Sequence, residues 1–250
     1  MQGQVVVVIS GAGRGIGYAL AQAYLLRSNY TVVGSIRDHD APGVVELKAS
    51  PKGSGSRLLL VKIDSAVPED AARAVEEMKV AGIDHIDILI ANAGVSPLME
   101  PIETVSLDDM TNTINVNALG PLTLYQSCFT LLKESNNAKF VPISSAAGSF
   151  GGMETYKVWN AAAYGVSKAM LNWIVLAAHC GNTWLTSFAV NPGLVATDMG
   201  NRAVKQLGLE KATCTKEFSA EKVIGLIDNS TRDKTSGKFL NAVDGRELEW

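Results

Sequence analysis

Short apolar runs rich in β-branched residues alternate with segments of helical periodicity along the whole chain. The first run covers residues 5–9, and a glycine-rich segment, 10–17, follows it at once and leads into a helical pattern over 16–27. Runs this continuous are typical of strands buried on both faces of a parallel sheet. Strict alternation of such strands with helices predicts a doubly wound α/β fold.

The periodicities predict the elements of this fold. Further strands are expected at 31–36, 58–63, 86–91, 140–143, 185–190 and 238–241, and further helices at 68–80, 107–133, 161–179 and 220–227. Together they predict one Rossmann-type domain over residues 1–250, with a central parallel seven-stranded sheet and helices on both faces. Pro142 lies inside a predicted strand, and because proline lacks a ladder donor, either a bulge lies there or the strand is shorter.

Three segments show no regular pattern, at 49–56, 149–160 and 200–217. The first is rich in Gly, Ser and Lys and predicts a solvated loop. The other two come just before the helix at 161–179 and just after the sixth strand. Since ligands of open α/β sheets bind beyond the carboxyl ends of the strands, both should lie at the binding edge.

The bulk composition excludes several function classes. A net charge of −3 and a pI near 5.7 give no bias toward nucleic acid or anionic lipid. The first apolar run is too short for a secretory signal, and no segment approaches the ~20 apolar residues of a membrane span. Three cysteines and three scattered histidines show no metal-ligand spacing. We therefore expect a cytosolic protein with no metal, nucleic-acid or membrane partner.

The segment 10–17 lies between the first strand and the first helix. Its glycines let the backbone approach a pyrophosphate, and the helix N-terminus supplies amide donors and a favourable dipole. A glycine cluster can also be an ordinary turn, but this position favours a dinucleotide site. The candidate cofactor-binding residues here are Gly11, Arg14, Gly15, Ile16 and Gly17.

The end of the second strand bears on which dinucleotide is bound. NAD sites place an acid there for the ribose hydroxyls, whereas here Ile36 is followed by Arg37. The planar guanidinium pairs well with phosphate oxygens, and Arg14 can reach the same group, so we expect NADP(H). Two alternatives stay open: Arg37 pairs with Asp38 or Asp40 as a solvated face, or a one-residue shift brings Asp38 into the acid position.

Tyr164 and Lys168 are four residues apart in a predicted helix and so share one face. A free tyrosine titrates near pH ~10, and a nearby cation lowers that pKa. Such a phenol can give a proton to a carbonyl oxygen or take one from an alcohol. The spacing alone also fits an accidental pair on a surface helix, so the assignment depends on the other motifs.

The order of these motifs resembles the classical short-chain dehydrogenase/reductase family over nearly the full length. The residues that carry the resemblance are Gly11, Gly15 and Gly17, Asp64 after the third strand, Asn92-Ala93-Gly94 after the fourth, Asn117 in the long helix, Ser145, Tyr164 with Lys168, and Asn191-Pro192-Gly193 with Thr197. Within the family the chain is most similar to the fungal norsolorinic acid ketoreductase-like and C-factor-type carbonyl reductases.

The resemblance implies four catalytic residues. Tyr164 would protonate the carbonyl oxygen, Lys168 would lower the tyrosine pKa and bind the nicotinamide ribose, and Ser145 would hydrogen-bond the substrate oxygen. Asn117 would hold a water that connects Lys168 to solvent. Asn117 is preferred over Asn115 because of its spacing to a following glycine, although both also suit plain polar helix positions.

The resemblance also implies cofactor contacts beyond the glycine loop. Asp64 would contact the adenine, and Val195 and Thr197 would hold the carboxamide. The remaining implied contacts are Ser65, Asn92, Ala93, Gly94, Pro192, Gly193 and Met199, together with Tyr164 and Lys168. The chain departs from the family at Ser10, where threonine is commoner, and at Ala91, where asparagine is frequent.

The interval from Ser145 to Tyr164 is longer than usual for the family. Its extra residues either cover and enlarge the substrate pocket or form a surface insertion. Because pockets are lined mostly by apolar and aromatic groups, we expect lining by Tyr156, Trp159, Leu98 and Met99.

The leading hypothesis is an NADPH-dependent reductase of a ketone or aldehyde in secondary metabolism. The long loop motivates an alternative, in which the same scaffold serves imine reduction, isomerisation or cyclisation of a biosynthetic intermediate. A non-enzymatic NADP(H) sensor is a second alternative, but it would not need a proton donor with its lysine. The resemblance also implies a homodimer or homotetramer, for which the candidate interface residues, equally possible as core, are Leu122, Tyr125, Leu171, Trp173 and Ile174.

Overall fold

A parallel six-stranded sheet forms the centre of the computed structural model, which describes residues 3–250. Its strands are β1 Val5–Ile9, β2 Tyr30–Ile36, β3 Arg57–Lys62, β4 Ile88–Ile90, β5 Lys139–Phe140 and β6 Thr186–Ser187. The strand order is β3-β2-β1-β4-β5-β6. The chain therefore leaves β1 toward one edge and β4 toward the other, so the crevice between these strands is the topological switch point where such folds bind ligands.

The expected seven-stranded sheet is wrong by one strand. A second, three-stranded sheet is built from β7 Ala189–Asn191, β8 Phe239–Asn241 and β9 Glu247–Leu248, and it starts just beyond Phe188. Phe188 and Val190 donate to the carbonyls of Phe140 and Pro142. In a parallel ladder the N–H at position 142 would bond to Phe188 in return, and proline has none. The missing donor explains why β5 is short and why β6 and β7 are separate strands.

Helices cover both faces of the sheet, as the sequence predicted. They are α1 Gly15–Leu25, α2 Pro42–Ala49, α3 Pro68–Val80, α4 Leu107–Ile114, α5 Gly120–Lys133, α6 Met153–Tyr156, α7 Ala162–Gly181, α8 Asp198–Gln206, α9 Lys216–Asp228 and α10 Arg232–Thr235. One core cluster packs Met78, Leu132 and Val175 from α3, α5 and α7 against the sheet. The other packs Leu20 and Ile224 from α1 and α9 against the opposite face. The doubly wound fold is thereby confirmed.

Two segments expected to be irregular contain helices. The segment 149–160 includes α6, which has no buried residue, and 200–217 includes most of α8, where only Val204 is buried. α6 is a single turn and α8 is largely polar, so neither contains the run of apolar residues on which the helix predictions were based. Within residues 3–250, no helix combines the length and apolarity needed to cross a bilayer.

Candidate active site

Ser145 follows β5 and begins a short turn toward α7. Its hydroxyl accepts a hydrogen bond of 3.2 Å from the Ala147 N–H and so caps the 3₁₀ turn Ala146–Gly148. The backbone N–H of Ser144, one residue earlier, donates to Val190 at 2.7 Å, which keeps this segment on the sheet edge. Ser145 is therefore held by the sheet on one side and by the turn on the other.

Tyr164 lies in the first turn of α7, and Lys168 lies one turn further along the same face. The Lys168 Nζ is 5.6 Å from the centroid of the Tyr164 ring. It donates a 2.8 Å hydrogen bond to the carbonyl of Ile143, and only 4% of the residue is exposed. Because Ile143 comes two residues before Ser145, this bond fixes the lysine between the strand end and the helix.

The electrostatics differ from the expectation drawn from the Tyr–Lys spacing. Burial raises the pKa of Tyr164 to about 12, while the hydrogen-bonding Ser145 hydroxyl acts weakly in the opposite direction. Burial also lowers the pKa of Lys168 to about 8. Desolvation, which disfavours both charged forms, outweighs the attraction of the ammonium for a phenolate. The phenol is therefore a neutral proton donor at pH 7.

Asn117 lies in a π-helical turn, Asn115–Leu119, between α4 and α5. Its side chain is fully buried, and it accepts from the N–H of Val95 and donates to the carbonyl of Val95, both at 2.8 Å. It also donates to the Ser167 hydroxyl at 3.0 Å. Asn117 thus ties the segment after β4 to the catalytic helix. Its implied role in holding a water stays a prediction.

The glycine loop leaves no room for side chains at two positions. A Cβ on Gly17 would collide with the carbonyl oxygen of Gly11 and with the Asn92 side chain, and one on Gly11 would lie 3.1 Å from the Ala93 Cα. Gly11 and Gly15 have φ of 71° and 58°, values that favour glycine. The loop and the turn after β4 are therefore packed directly against each other at the switch point.

Ser10 joins these two turns. Its hydroxyl accepts from the N–H groups of Asn92 and Ala93 at 2.9 and 3.0 Å, and the Asn92 side chain donates to the Ser10 carbonyl at 2.9 Å. A serine here makes the contacts that a threonine hydroxyl would make. Asn92 and Ala93 consequently hold the loop's shape through side-chain and backbone bonds.

Arg14 and Arg37 are both exposed at this edge of the sheet. Arg14 precedes α1, and its Nη1 lies 4.0 Å from Asp198 at the start of α8. In the part of the chain that the structure describes, no carboxylate lies within 4.0 Å of the Arg37 guanidinium. The carboxylate of Asp38 instead accepts from the N–H of Asp40 at 2.9 Å. The alternative in which Arg37 pairs with either acid is not observed.

Asp64 and Ser65 follow β3, the edge strand of the sheet. The Asp64 carboxylate accepts from the Ala66 N–H at 3.0 Å, and its own N–H donates to buried Asp70 at 2.9 Å. Ser65 lines a cavity of about 170 Å³ together with Asn115 of the π-helical turn. Asn115 therefore lies on a different side of the π-helical turn from Asn117, which bonds to Val95 and Ser167.

The segment from Pro192 to Thr197 connects β7 to α8, and Met199 lies in the first turn of α8. Gly193 has a φ of 86°, Val195 is buried, and the Thr197 hydroxyl accepts from the Gly200 N–H at 3.1 Å as the N-cap of α8. The Thr197 methyl would lie 3.4 Å from a Cβ on Gly15. The segment thus runs directly beside the glycine loop, where the sequence placed it.

The comparisons with known proteins agree with this geometry. A family model described as short chain dehydrogenase matches residues 5–208. The chain belongs to the short-chain dehydrogenase family. The match extends from β1 through the catalytic helix to the segment just beyond α8.

Similar family members share almost the whole length of this short-chain dehydrogenase. A short-chain dehydrogenase of Neurospora crassa, srdF, is 46% identical over 98% of this chain and 97% of its own length. The norsolorinic acid ketoreductase of Aspergillus parasiticus is 34% identical over 99% of this chain and 92% of its own length. An NADPH-bound carbonyl reductase from chicken fatty liver superposes with a TM-score of 0.85 at 27% identity, covering 100% and 96% of the two chains.

Two polar residues of this short-chain dehydrogenase were missed in the sequence. Ser167 donates to the Tyr164 carbonyl at 2.8 Å and accepts from Asn117. Asn172 accepts from the Ser144 hydroxyl at 2.6 Å and donates to the Gly148 carbonyl at 3.1 Å. Asn172 lies four residues after Lys168 and Ser167 three residues after Tyr164 on α7, and these spacings were the signal in the sequence that could have indicated them.

The four residues expected to line the substrate pocket differ in how far they are exposed. Trp159 and Leu98 are 53% and 71% exposed, as residues at the mouth of a site can be, and Met99 is half-buried. Tyr156 instead packs against the core cluster that includes Val175. Its main contact is therefore with the protein interior.

Proposed function

We propose that the protein is an NADPH-dependent reductase that converts a ketone or aldehyde to an alcohol in secondary metabolism. The observation that carries the proposal is the neutral Tyr164 phenol beside the Ser145 hydroxyl, with the buried Lys168 one helical turn away. The similarity to ketoreductases of fungal secondary metabolism and to a carbonyl reductase supports the same reaction.

The residues at the switch point fit NADP(H). Gly11 and Gly17 let the glycine loop pack closely on the turn after β4, and this packing supports a pyrophosphate site at the N-terminus of α1. Arg37, which has no carboxylate partner within residues 3–250, suits the 2′-phosphate, and Arg14 can add a second guanidinium. Asp64 would hold the adenine side, while Val195 and Thr197 would hold the nicotinamide side.

Side chains of this protein supply the proton that is transferred in this reaction and stabilise the charge that its transfer leaves behind. NADPH supplies the hydride when bound. The Ser145 hydroxyl donates a hydrogen bond to the carbonyl oxygen of the substrate, and the Tyr164 hydroxyl gives that oxygen its proton. The Lys168 ammonium, held by Ile143, faces the phenol and stabilises the negative charge that develops on it.

The direct test follows NADPH absorbance with a panel of ketones and aldehydes, in the wild type and in Tyr164→Phe. We expect carbonyl-dependent oxidation of NADPH that falls by roughly 10²-fold or more in Tyr164→Phe, since general acids contribute about that much. NADPH binding should persist in the variant. Turnover of an intermediate without NADPH loss would favour isomerisation or cyclisation, and tight NADPH binding without any turnover would favour a sensor.

We also propose that the enzyme is a cytosolic homodimer or homotetramer. Of the candidate interface residues, Tyr125, Leu171 and Ile174 are buried within the chain and belong to its core. Trp173 on α7 is 72% exposed, and Leu122 on α5 is half-buried. The exposed tryptophan is the observation that supports an interface on α7.

A further inference from the structure

The long loop between the two catalytic segments has little packing of its own. It covers residues 149–161, and its helix α6 contains no buried residue. Lys157 ends that helix with a φ of 52°, a left-handed conformation that a lysine rarely adopts. Tyr156 packs on the core near the middle of the 149–161 loop, and the other buried side chains, Ser149 and Ala161, lie at its two ends, so the position of the loop depends on the groups that hold those ends.

The first end is fastened to residues 249 and 250. Ser149, which is 1% exposed, donates a 2.6 Å hydrogen bond to the Glu249 carbonyl and accepts one of 2.9 Å from the Gly152 N–H. The Gly151 N–H donates to the Trp250 carbonyl at 3.0 Å. These bonds join the loop to a segment nearly 100 residues later in the sequence.

That later segment is itself fixed to the core. β9 pairs antiparallel with β8, and Leu248 is opposite Phe239 in the register. The Trp250 ring stacks on the fully buried Phe239 with 5.7 Å between centroids. The β8–β9 pair therefore fixes residues 249 and 250, and through them the start of the 149–161 loop.

The contact at Gly151 leaves no room for a side chain. A Cβ there would collide with the Glu249 carboxylate and would lie 2.9 Å from the Glu249 Cβ. A methyl group at this position would displace the exposed Glu249 carboxylate, and its close approach to the Glu249 Cβ would move the loop away from residues 249–250.

The second end of the loop leads into the catalytic helix. The Ala162 N–H, two residues before Tyr164, donates to the Glu100 carbonyl at 3.0 Å, which ties the loop to the segment that carries Leu98. Three large apolar side chains on these two segments are exposed: Phe150 by 73%, Trp159 by 53% and Leu98 by 71%. Trp159 and Leu98 lie within three residues of the Ala162–Glu100 hydrogen bond at the start of α7, where an apolar substrate body would contact the protein, whereas Phe150 lies at the fastened end of the loop.

We propose that residues 247–250 act as a clasp that positions the 149–161 loop as one wall of the carbonyl-substrate site. Ser149, Gly151 and Trp250 are then positioning residues that determine how the enzyme holds ketones with a large apolar body, and they do not touch the reacting atoms. This inference rests on the proposed reductase function.

The test compares the wild type with Ser149→Ala and Gly151→Ala, using the bicyclic ketone 2-tetralone and the small ketone 2,3-butanedione. We expect KM for 2-tetralone to rise about fivefold or more in both variants, with kcat nearly unchanged. The loop contacts that are lost stabilise the bound substrate and the transition state equally, so their loss affects KM alone. KM for NADPH and for 2,3-butanedione should stay within about twofold. Amide hydrogen exchange of residues 149–161 should become faster.

Two matched controls come from the opposite face of the sheet. Gly225→Ala adds a methyl into open space in α9, and Ser230→Ala removes a buried hydroxyl that bonds to the Ile227 carbonyl. Neither should change KM for either ketone. Trp250→Ala should reproduce the effect of Ser149→Ala, and Trp250→Phe, which keeps an aromatic ring on Phe239, should restore KM.

The outcomes separate this inference from the reductase assignment. If the wild type reduces no carbonyl compound, the proposed function fails, while hydrogen exchange still tests the clasp. Unchanged exchange of residues 149–161 in both Ser149→Ala and Gly151→Ala overturns the clasp. Equal increases in KM for the two ketones overturn its role in holding the apolar body.

Discussion

The Asn172 side chain accepts a 2.6 Å hydrogen bond from the Ser144 hydroxyl, one residue before Ser145. The same side chain donates to the carbonyl of Gly148, three residues after Ser145. Asn172 is on α7, two turns beyond Tyr164, and is 4% exposed. The side-chain amide of Asn172 therefore holds the residues on both sides of Ser145 against α7, the helix that carries Tyr164.

We expect Asn172→Ala to lower kcat about tenfold, which corresponds to roughly 1.4 kcal/mol of misalignment. It should also lower the free energy of unfolding by about 1–3 kcal/mol, because the buried Ser144 hydroxyl loses its partner. KM for NADPH should change little. Steady-state kinetics and urea unfolding measure these effects.

A control for this variant lies on the same helix. Asn182→Ala removes a side chain that donates to the Ala178 carbonyl at 3.1 Å, at the far end of α7. It should leave kcat unchanged. Asn172→Asp keeps the acceptor for Ser144 and should have an intermediate kcat, whereas a kcat equal to that of the wild type in both Asn172 variants would contradict this role of Asn172.

The pKa values predict how reduction depends on pH. Lys168, with its pKa lowered to about 8, loses its ammonium charge above that pH, while Tyr164, with its pKa raised to about 12, keeps its proton. We expect kcat/KM for reduction to be level from pH 6 to about 7 and to fall as the pH rises beyond about 8. A pH profile in constant ionic strength measures this, with circular dichroism at each pH as the control. A level profile to pH 10 would show that the lysine charge is not required.

Arg37 should determine the choice of dinucleotide. Hydrogen bonds to charged groups contribute about 1.5–3 kcal/mol, so Arg37→Ala should raise KM for NADPH by roughly 10- to 100-fold. KM for NADH, which has no 2′-phosphate, should change little. Arg246→Ala, an exposed arginine in the turn between β8 and β9, is the matched control and should change neither value. Equal losses with both dinucleotides would argue against a phosphate contact at Arg37.

The parts of the fold that follow from continuous local patterns were predicted closely. β1 and α3 have the expected bounds, because β1 is a run of β-branched residues and α3 begins with a proline and two acids. The break between β6 and β7 was not foreseen, since its cause is the missing N–H of Pro142 in the neighbouring strand. The missing hydrogen-bond donor is in the strand that contains Pro142, but the break appears in the neighbouring strand. The pattern of apolar residues along that neighbouring strand therefore cannot show it.

The sequence indicated which residues lie close together at the candidate site, and their catalytic and cofactor-binding roles stay predictions. The structure brings Tyr164, Lys168 and Ser145 together, as the resemblance implied. The direction of the Tyr164 pKa was wrong, because spacing indicates which charges are close but not how deeply they are buried. Asn172 was missed for a related reason: a polar residue in a helical pattern gives no sign of the two buried groups that it will join.

The exposed face of α7 predicts an association of chains. Val166, Met170 and Trp173 are spaced by four and three residues on that face, and 38%, 36% and 72% of these side chains are exposed. Trp173→Glu should therefore convert a homo-oligomer to single chains, which multi-angle light scattering measures. Val80→Glu, at an apolar side chain on α3 that is 90% exposed, is the control and should leave the mass unchanged. A wild type that is already a single chain would rule out this interface.

Lys168 should make the protein less stable at neutral pH than an uncharged residue would. Its folded pKa is about 8 against an ordinary 10.5, a depression of roughly 2.5 units or 3 kcal/mol, which disfavours the folded state at every pH below 8. Lys168→Met also leaves the Ile143 carbonyl unpaired, so we expect a net gain of about 2 kcal/mol in unfolding free energy at pH 7. The gain should shrink as the pH rises from 8 toward 10.5, because the wild-type lysine then loses its charge. Urea unfolding at pH 7 and pH 9.5 measures the two values, and Lys133→Met, at an exposed position on α5, should show no such pH-dependent difference. A Lys168→Met variant that is less stable than the wild type at pH 7 would show that the Ile143 hydrogen bond outweighs the desolvation of the ammonium.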